Sequence, residues 1–201
     1  MEGRVIGNYN TTSYPVGDSN IIQSILRSML KKSIKKDFTI IDVVEYIITG
    51  DVKEYREVLR RVVKRGDIVL EVGCGVGKTA WLVSHICKKV VGMDKSKECI
   101  KKAIERYKKD NLEFIVARAE DIGMVLRRYG RIFTVVLIDL SGNRDPYYVL
   151  EHVERYGKVF QPRIIIIKNS RLQKFIKNSI VFEKGIWYGL KKLTRPCSER
   201  D

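Results

Sequence analysis

The sequence has few of the residues that build metal centres, disulfide frameworks or membrane spans. The four cysteines show no C-x-x-C spacing, and the chain has only two histidines, which argues against a structural metal site. Scattered cysteines are more typical of reduced thiols in the cytoplasm. No apolar run approaches the ~20 residues of a membrane helix, and the start lacks the apolar core of a signal peptide. We therefore expect a cytoplasmic protein without a membrane segment or a structural metal.

Positive charge is abundant by contrast. The chain has 39 Lys and Arg against 24 Asp and Glu, a net charge of +15 at pH 7. Such an excess attracts polyanions through counterion release, and RNA or DNA is the commonest polyanionic partner. A basic proteome or a surface tuned for solubility would give the same excess. The charge therefore makes RNA an expected partner without separating it from incidental attraction, and the oligomeric state is not indicated.

A glycine-rich segment, Glu71 to Lys78, follows an apolar run and leads into a helical pattern. Such a turn brings backbone N–H groups close to a nucleotide-like ligand. Spacing excludes two families of nucleotide-binding loop. A P-loop ending at Gly77 needs its first glycine where Val72 stands, and the dinucleotide fingerprint needs its third glycine at Lys78.

The remaining pattern, E-x-G-x-G-x-G, resembles the glycine-rich loop of class I S-adenosylmethionine-dependent methyltransferases. The resemblance covers about residues 66–193 and implies S-adenosylmethionine as cofactor, with Glu71 and the glycine turn at its methionine end. The candidate cofactor-binding residues are Glu71, Gly73, Cys74, Gly75, Gly77, Asp94, Lys95, Ala119, Glu120 and Asp139.

Asp94 ends a short apolar run, 21 residues after Gly73. An acid at the tip of this strand can accept hydrogen bonds from both ribose hydroxyls. It could instead cap the following helix, although Ser96 is able to fill that role.

The next strand is followed by Arg118-Ala119-Glu120-Asp121, where the family commonly has an acid or amide in place of Arg118. Glu120 or Asp121 could then accept from the adenine amino group, and the Ala119 and Glu120 backbone could serve the ring. Asp121 fits equally well as a helix N-cap.

Two further strand ends carry candidate catalytic residues. Asp139 opens a polar loop, and Lys168 follows four isoleucines. With Lys53 and Glu183 they loosely resemble the Lys-Asp-Lys-Glu set of RNA ribose 2′-O-methyltransferases. A lysine amine with a pKa lowered by burial could take the proton of a ribose hydroxyl. Lysines are dense in this chain, so one at a strand tip could equally be incidental.

Strand and helix patterns alternate after Gly66. Val- and Ile-rich runs, typical of parallel strands buried on both faces, occur at Ile68–Val72, Val90–Asp94, Glu113–Ala117, Phe133–Asp139 and Arg163–Lys168. Helical patterns occur at Lys78–Lys88, Ser96–Asp110, Asp121–Tyr129, Pro146–Tyr156 and Arg171–Asn178. A final hairpin, Ile180–Glu183 with Ile186–Leu193, completes the prediction. It is a Rossmann-like α/β fold with a seven-stranded, mostly parallel sheet and one antiparallel strand.

The chain divides into three predicted parts. Residues 1–65 form an N-terminal arm and helical extension, with helices at about 18–36, 40–49 and 52–64; residues 66–193 form the methyltransferase domain, and residues 194–201 form a tail. We expect an S-adenosylmethionine-dependent methyltransferase acting on RNA (tRNA or rRNA), with ribose 2′-O transfer as the sharper hypothesis. A small-molecule or protein methyltransferase, or a catalytically silent nucleotide- or RNA-binding module, remains the alternative.

Overall fold

The computed structural model describes residues 44–183 and 186–189, and from residue 180 onward it describes the backbone alone. In chain order the elements are β1 (Glu45–Thr49), α1 (Val52–Val62), β2 (Ile68–Val72), α2 (Lys78–Val83), β3 (Lys89–Asp94), α3 (Lys97–Arg106), β4 (Leu112–Val116), α4 (Ile122–Tyr129), β5 (Val135–Ile138), α5 (Pro146–Phe160), β6 (Ile164–Lys168), α6 (Ser170–Asn178), β7 (Ile180–Glu183) and β8 (Ile186–Gly189).

Six strands form one parallel sheet in the order β1-β6-β5-β2-β3-β4. The central strands are almost wholly apolar, and helices cover both faces of the sheet. Tyr55 and Leu59 of α1 pack with Ala80 and Val83 of α2 on one face. Helices α4, α5 and α6 supply the core of the other face. The result is a three-layer α/β/α arrangement with its strands buried.

The prediction of seven strands with one antiparallel member is wrong. Over residues 44–183 and 186–189 the sheet has six strands, all parallel, and the final hairpin pairs as a separate two-stranded antiparallel sheet of β7 and β8. Strand β1 explains the difference. It pairs with β6 from Glu45–Ile164 to Thr49–Lys168 and occupies the edge that an antiparallel strand would need.

The predicted helix at 40–49 is also wrong over its described part, because residues 45–49 form strand β1. Ile47, Ile48 and Thr49 are β-branched and suit a strand. Periodicity in so short an apolar run does not distinguish helix from strand, and pairing with β6 decides it. Asp51 then caps α1, its side chain accepting from the N–H groups of Lys53 and Glu54 at 2.6 and 3.0 Å.

The remaining elements between residues 52 and 178 form where the sequence predicts them, with ends that differ by a few residues. The largest changes are in α2, which ends at Val83, in α3, which ends at Arg106, and in α5, which continues to Phe160. Helix α5 stops at Gln161 in the left-handed conformation (φ 48°), just before Pro162. The predicted arm, the helix at 18–36 and the tail at 194–201 lie outside the described residues.

The described residues include no helix long and apolar enough to cross a membrane. The same part of the chain holds no group of three or more His, Cys, Asp or Glu side chains placed to bind a metal ion.

Candidate active site

The carboxyl ends of all six parallel strands lie at one edge of the sheet, the usual place for ligands in open α/β folds. Strand β2 lies between β5 and β3 in this sheet, so the loops that follow these strands are neighbours. The predicted residues Gly73, Asp94, Asp139 and Lys168 all follow or end strands at this edge. The sequence-predicted site is thus brought together by the topology.

The glycine loop lies directly against the end of β5. The N–H groups of Gly73 and Cys74 donate to the Met93 carbonyl at 2.8 and 2.9 Å. Gly73, Gly75 and Gly77 all have positive φ. A Cβ on Gly73 would lie 2.2 Å from the Asp139 carbonyl oxygen. Glycine is required there both for its backbone conformation and for this close approach.

Asp94 holds the glycine loop in place. Its Oδ2 accepts from the Gly75 N–H at 3.0 Å, and its Oδ1 accepts from the Ser96 N–H at 2.9 Å. Ser96 is the N-cap of α3, since its Oγ accepts from the Cys99 N–H at 3.2 Å. Each carboxylate oxygen can accept a second hydrogen bond. Ribose binding by Asp94 therefore stays a compatible prediction.

Glu71 is a buried carboxyl group with an unpaired oxygen. Its side chain is 1% exposed, and Oε2 has no hydrogen-bond partner among the described residues. Burial, and then repulsion by Asp139, raises the pKa of Glu71 to about 8. An unsatisfied buried polar atom costs roughly 1–3 kcal/mol, so this atom suits a donor or cationic group of a ligand. The site therefore fits a cofactor with an ammonium group, as S-adenosylmethionine has.

Asp139 and Lys168 form an ion pair across neighbouring strands. Asp139 Oδ2 lies 2.6 Å from Lys168 Nζ, with the side chains 18% and 16% exposed. Burial raises the pKa of Asp139, and the lysine opposes that rise. Two of the four predicted catalytic side chains are therefore in contact.

The other two are placed differently. Lys53 lies exposed in the first turn of α1, and its side chain makes no hydrogen bond or ion pair within the described part of the chain. Glu183 ends β7, in the separate hairpin sheet, and its side chain lies outside the described residues. Catalytic roles for Lys53 and Glu183 stay predictions.

The segment after β4 is tied to α5 by two tyrosines. The Tyr156 hydroxyl donates to the Ala119 carbonyl at 3.0 Å, and the Tyr148 hydroxyl donates to Glu120 Oε1 at 2.7 Å. Arg118 Nε lies 3.5 Å from the other oxygen of Glu120. The Tyr148 hydrogen bond is the main cause that lowers the pKa of Glu120. The Glu120 carboxylate is thus already engaged, and adenine recognition there stays a prediction.

Three further predicted residues have simpler surroundings. Cys74 is buried, and burial raises the pKa of its thiol, so it is neutral rather than nucleophilic. Lys95 is exposed beside Asp94. Asp121 occupies the N-cap position of α4, yet its Oδ2 accepts from the Arg118 N–H at 2.7 Å instead of capping the helix.

The polar loop after β5 is fixed by the residues that follow β6. Asn169 is buried and donates to the Arg144 carbonyl at 2.9 Å. The Ser170 hydroxyl lies 2.9 Å from the Gly142 carbonyl and from Asn143 Oδ1. Ser141 has a φ of 75°, an unusual value for a residue other than glycine. The loop beside the Asp139–Lys168 pair therefore has a defined conformation.

Tyr55 and Arg56 of α1 lie beside these residues, although no local sequence pattern predicts it. Tyr55 is fully buried, and its hydroxyl has no hydrogen-bond partner in the described part of the chain; burial, and then the charges of Glu71 and Asp139, raise its pKa. Arg56 Nε donates to Thr79 Oγ1 at 3.3 Å. The guanidinium charge of Arg56 also opposes the raised pKa values of Glu71 and Asp139. Their placement follows from β1 joining the sheet, which the local pattern does not reveal.

Comparison with known sequences identifies the domain. Residues 69–158 match a family model described as a methyltransferase domain. The 23S rRNA (uracil(1939)-C(5))-methyltransferase RlmD of Legionella pneumophila strains Corby and Paris is 30% identical over 107 residues, which are 52% of this chain and 23% of the relative. The chain therefore spans about a quarter of the length of the curated relatives it matches.

The solved structures that are similar to this chain include methyltransferases. An rRNA methylase from Streptococcus thermophilus aligns with a TM-score of 0.45 and 18% identity, covering 63% of this chain and 78% of that one. SMU.1697c from Streptococcus mutans, in complex with SAH, aligns with a TM-score of 0.44 and 16% identity, covering 56% and 68%. Scores below 0.5 establish no shared fold on their own. The family match thus identifies residues 69–158 as similar to a methyltransferase domain, in agreement with the resemblance of the glycine loop to that of class I S-adenosylmethionine-dependent methyltransferases.

Proposed function

We propose that this chain transfers a methyl group from S-adenosylmethionine to RNA. The observation that carries the proposal is the glycine loop, held by Asp94 at Gly75 and pressed against Asp139 at Gly73. This contact sets the predicted methyl-donor loop beside the Asp139–Lys168 pair. Donor and acceptor groups would therefore meet at one point of the sheet edge, where positioning is the protein's main contribution to rate.

The residues around the loop supply the proposed cofactor contacts. Bound there, the cofactor supplies an electrophilic methyl group on a sulfonium. Glu71 offers its unpaired Oε2 to the methionine end, and Asp94 offers the free lone pairs of its oxygens to the ribose. Ala119 and Glu120 flank the adenine side, where Tyr156 and Tyr148 fix their position.

Asp139 and Lys168 are the proposed catalytic residues. Asp139 accepts a hydrogen bond from the acceptor group and orients it, and Lys168 holds the carboxylate in place at 2.6 Å. With the cofactor bound, the acceptor would lose a proton as its bond to the methyl carbon forms and the bond from that carbon to sulfur breaks, and the Asp139 carboxylate of the pair is placed to receive that proton. The fixed loop from Ser141 to Arg144 borders the space for the acceptor. Lys53 and Glu183 are proposed as further members of the set.

Two observations support RNA as the proposed acceptor. The net charge of +15 favours a polyanionic substrate. The curated relatives are named as methyltransferases of a 23S rRNA uracil, and their match covers half of this chain. Transfer to the ribose 2′-hydroxyl is the narrower proposal and rests on the Asp139–Lys168 pair alone.

Calorimetry with S-adenosylmethionine tests the cofactor proposal. The native chain is expected to bind, and Asp94→Asn is expected to bind at least about tenfold more weakly, since a charge-assisted hydrogen bond contributes roughly 1.5–3 kcal/mol. Asp110→Asn, an exposed acid remote from the glycine loop in the sequence, is the matched control and should bind as the native chain does. Absence of binding by the native chain at tens of micromolar would remove the enzyme proposal.

Transfer of a labelled methyl group to total RNA tests the activity. Asp139→Asn and Lys168→Met are expected to slow transfer by roughly 10²-fold, as loss of a positioned proton-transfer group does. Lys158→Met, exposed on α5, controls for the loss of one positive charge. Digestion of the product to nucleosides separates ribose from base methylation. Cofactor binding with no labelled RNA, protein or small molecule would indicate the silent module instead.

A further inference from the structure

Helix α1 carries three positive side chains on one face. Lys53, Arg56 and Arg60 stand at positions i, i+3 and i+7, which share one side of a helix with 3.6 residues per turn. The buried residues Tyr55 and Leu59 lie on the adjoining side of the helix, which faces the core. We call Lys53, Arg56 and Arg60 the α1 basic face.

The α1 basic face begins at the candidate active site. Helix α1 starts three residues after Thr49, which pairs with Lys168 in the sheet and accepts from the Asn169 N–H at 2.9 Å. Arg56 donates to Thr79, which follows the glycine loop by two residues. The face therefore starts beside the Asp139–Lys168 edge and leads away from it along the helix.

The acidic side chains of α1 are engaged elsewhere. Glu54 Oε2 accepts from the Gly50 N–H at 2.8 Å and from Gln173 at 2.7 Å. Glu57 forms an i,i+4 ion pair with Arg61. Asp51 caps the helix. The three charges of the α1 basic face therefore have no acidic partner on their own helix, and the face favours an anionic partner.

The groove beside the α1 basic face is too small to enclose a small ligand. Arg56 and Arg60 border a groove between α1 and α2 whose apolar lining is Leu59, Leu82, Val83 and Ile86. Its volume is about 40 Å³. Small-molecule sites enclose roughly 300–1,000 Å³, so this groove cannot surround a metabolite. An anion that binds the α1 basic face would therefore lie across its exposed side chains and not inside this groove.

We propose that the α1 basic face binds the phosphodiester backbone of an RNA strand whose acceptor nucleotide lies at the Asp139–Lys168 edge. The three side chains are spaced by one helical turn, about 5 Å apart along the helix axis, and each neutralises one phosphate of the strand. The inference rests on the proposed RNA substrate and adds Arg56 and Arg60 to the residues that hold it. It also gives Lys53 a contact with phosphate.

The test measures binding of a fluorescein-labelled single-stranded oligouridylate to the full chain over a range of salt concentrations. The variant Lys53→Gln/Arg56→Gln/Arg60→Gln is expected to lose at least about tenfold in affinity, and the slope of log K against log salt should fall by about 2, or about 0.7 for each lost phosphate contact. The control Arg127→Gln/Arg131→Gln/Lys158→Gln removes the same charge from exposed positions on α4, the turn after it and α5. It is expected to keep the native slope.

Further measurements separate binding from folding. Circular dichroism and urea denaturation check that the α1 variant keeps its fold, and Lys53→Arg/Arg56→Lys/Arg60→Lys should restore RNA binding because the charges are kept. Equal losses in both charge-removal variants, or none in the α1 variant while the native chain binds RNA, would overturn the α1 basic face and leave the RNA proposal standing. No RNA binding by the native chain would overturn both, whatever S-adenosylmethionine does.

Discussion

At the scale of single residues, Glu71 combines burial with proximity to a second carboxyl group. Its pKa in the folded protein is about 8, against an ordinary value of 4.5. At pH values between 4.5 and about 8, Glu71 keeps its proton in the folded protein and has released it in the unfolded chain. The free energy of unfolding therefore falls as pH rises through this window, by about 1.4 kcal/mol per pH unit for one full proton.

We expect the native chain to lose stability relative to Glu71→Gln as pH rises from about 4.5 to about 8, because the glutamine does not titrate. Urea denaturation of both proteins across this range measures the difference. Glu98→Gln is the matched control, since Glu98 is exposed and its hydrogen bond to Lys102 lowers its pKa. If the curves of native chain and Glu71→Gln run parallel, Glu71 is ionised in the folded protein.

The same residue scale shows what the sequence could predict of the site. Contact between Asp139 and Lys168 follows from two neighbouring parallel strands that end in opposite charges, and both ends are visible in the sequence. The approach of Tyr55 and Arg56 is not visible in that way. That approach depends on the packing of α1 against α2, which is a tertiary contact. In the local sequence pattern Tyr55 is only one more apolar position of a helix.

At the scale of elements, the glycine loop depends on two different properties of glycine. Gly73 and Gly75 have φ values of +84° and +52°. A Cβ at Gly73 would collide with the Asp139 carbonyl oxygen at 2.2 Å, whereas a Cβ at Gly75 would meet nothing within 4 Å. The two positions therefore separate backbone strain from close packing between the loop and β5.

We expect Gly75→Ala to lower the free energy of unfolding by about 1 kcal/mol, the cost of a left-handed conformation at a residue with a Cβ. Gly73→Ala should lower it by roughly a further 2 kcal/mol, because the loop must also move off β5. Urea denaturation of the two variants beside the native chain measures both values. Equal losses in the two variants would mean that the contact with Asp139 does not constrain the loop.

Strand β1 shows where prediction of elements from the sequence reached its limit. Elements such as β2 and α3 were predicted because their apolar periodicity and caps are local. The segment before Gly50 reads as helix or strand by the same criteria. Its state is decided by partners more than a hundred residues away, including the Thr49 hydroxyl that donates to the Ile167 carbonyl at 3.1 Å. The hairpin forms at the predicted residues, and only its predicted place in the large sheet is wrong, for the same reason.

At the scale of the whole molecule, the net charge of +15 acts on stability as well as on partners. Like charges repel more strongly in the compact state than in the expanded unfolded chain. Exposed pairs such as Lys102–Glu98, with side chains 54% and 75% exposed, contribute little attraction in return. Salt screens the repulsion, since the Debye length falls from about 10 Å at 0.1 M to about 3 Å at 1 M.

We therefore expect the melting temperature of the native chain to rise by a few degrees between about 0.1 and about 1 M sodium chloride, because screened repulsion dominates over screened attraction. Differential scanning calorimetry at neutral pH measures the change. The variant Arg127→Gln/Arg131→Gln/Lys158→Gln, which carries three fewer positive charges, should gain less from the same salt. A melting temperature that falls with salt would show that attractive ion pairs, such as Asp139–Lys168 and Asp67–Arg163, outweigh the net repulsion.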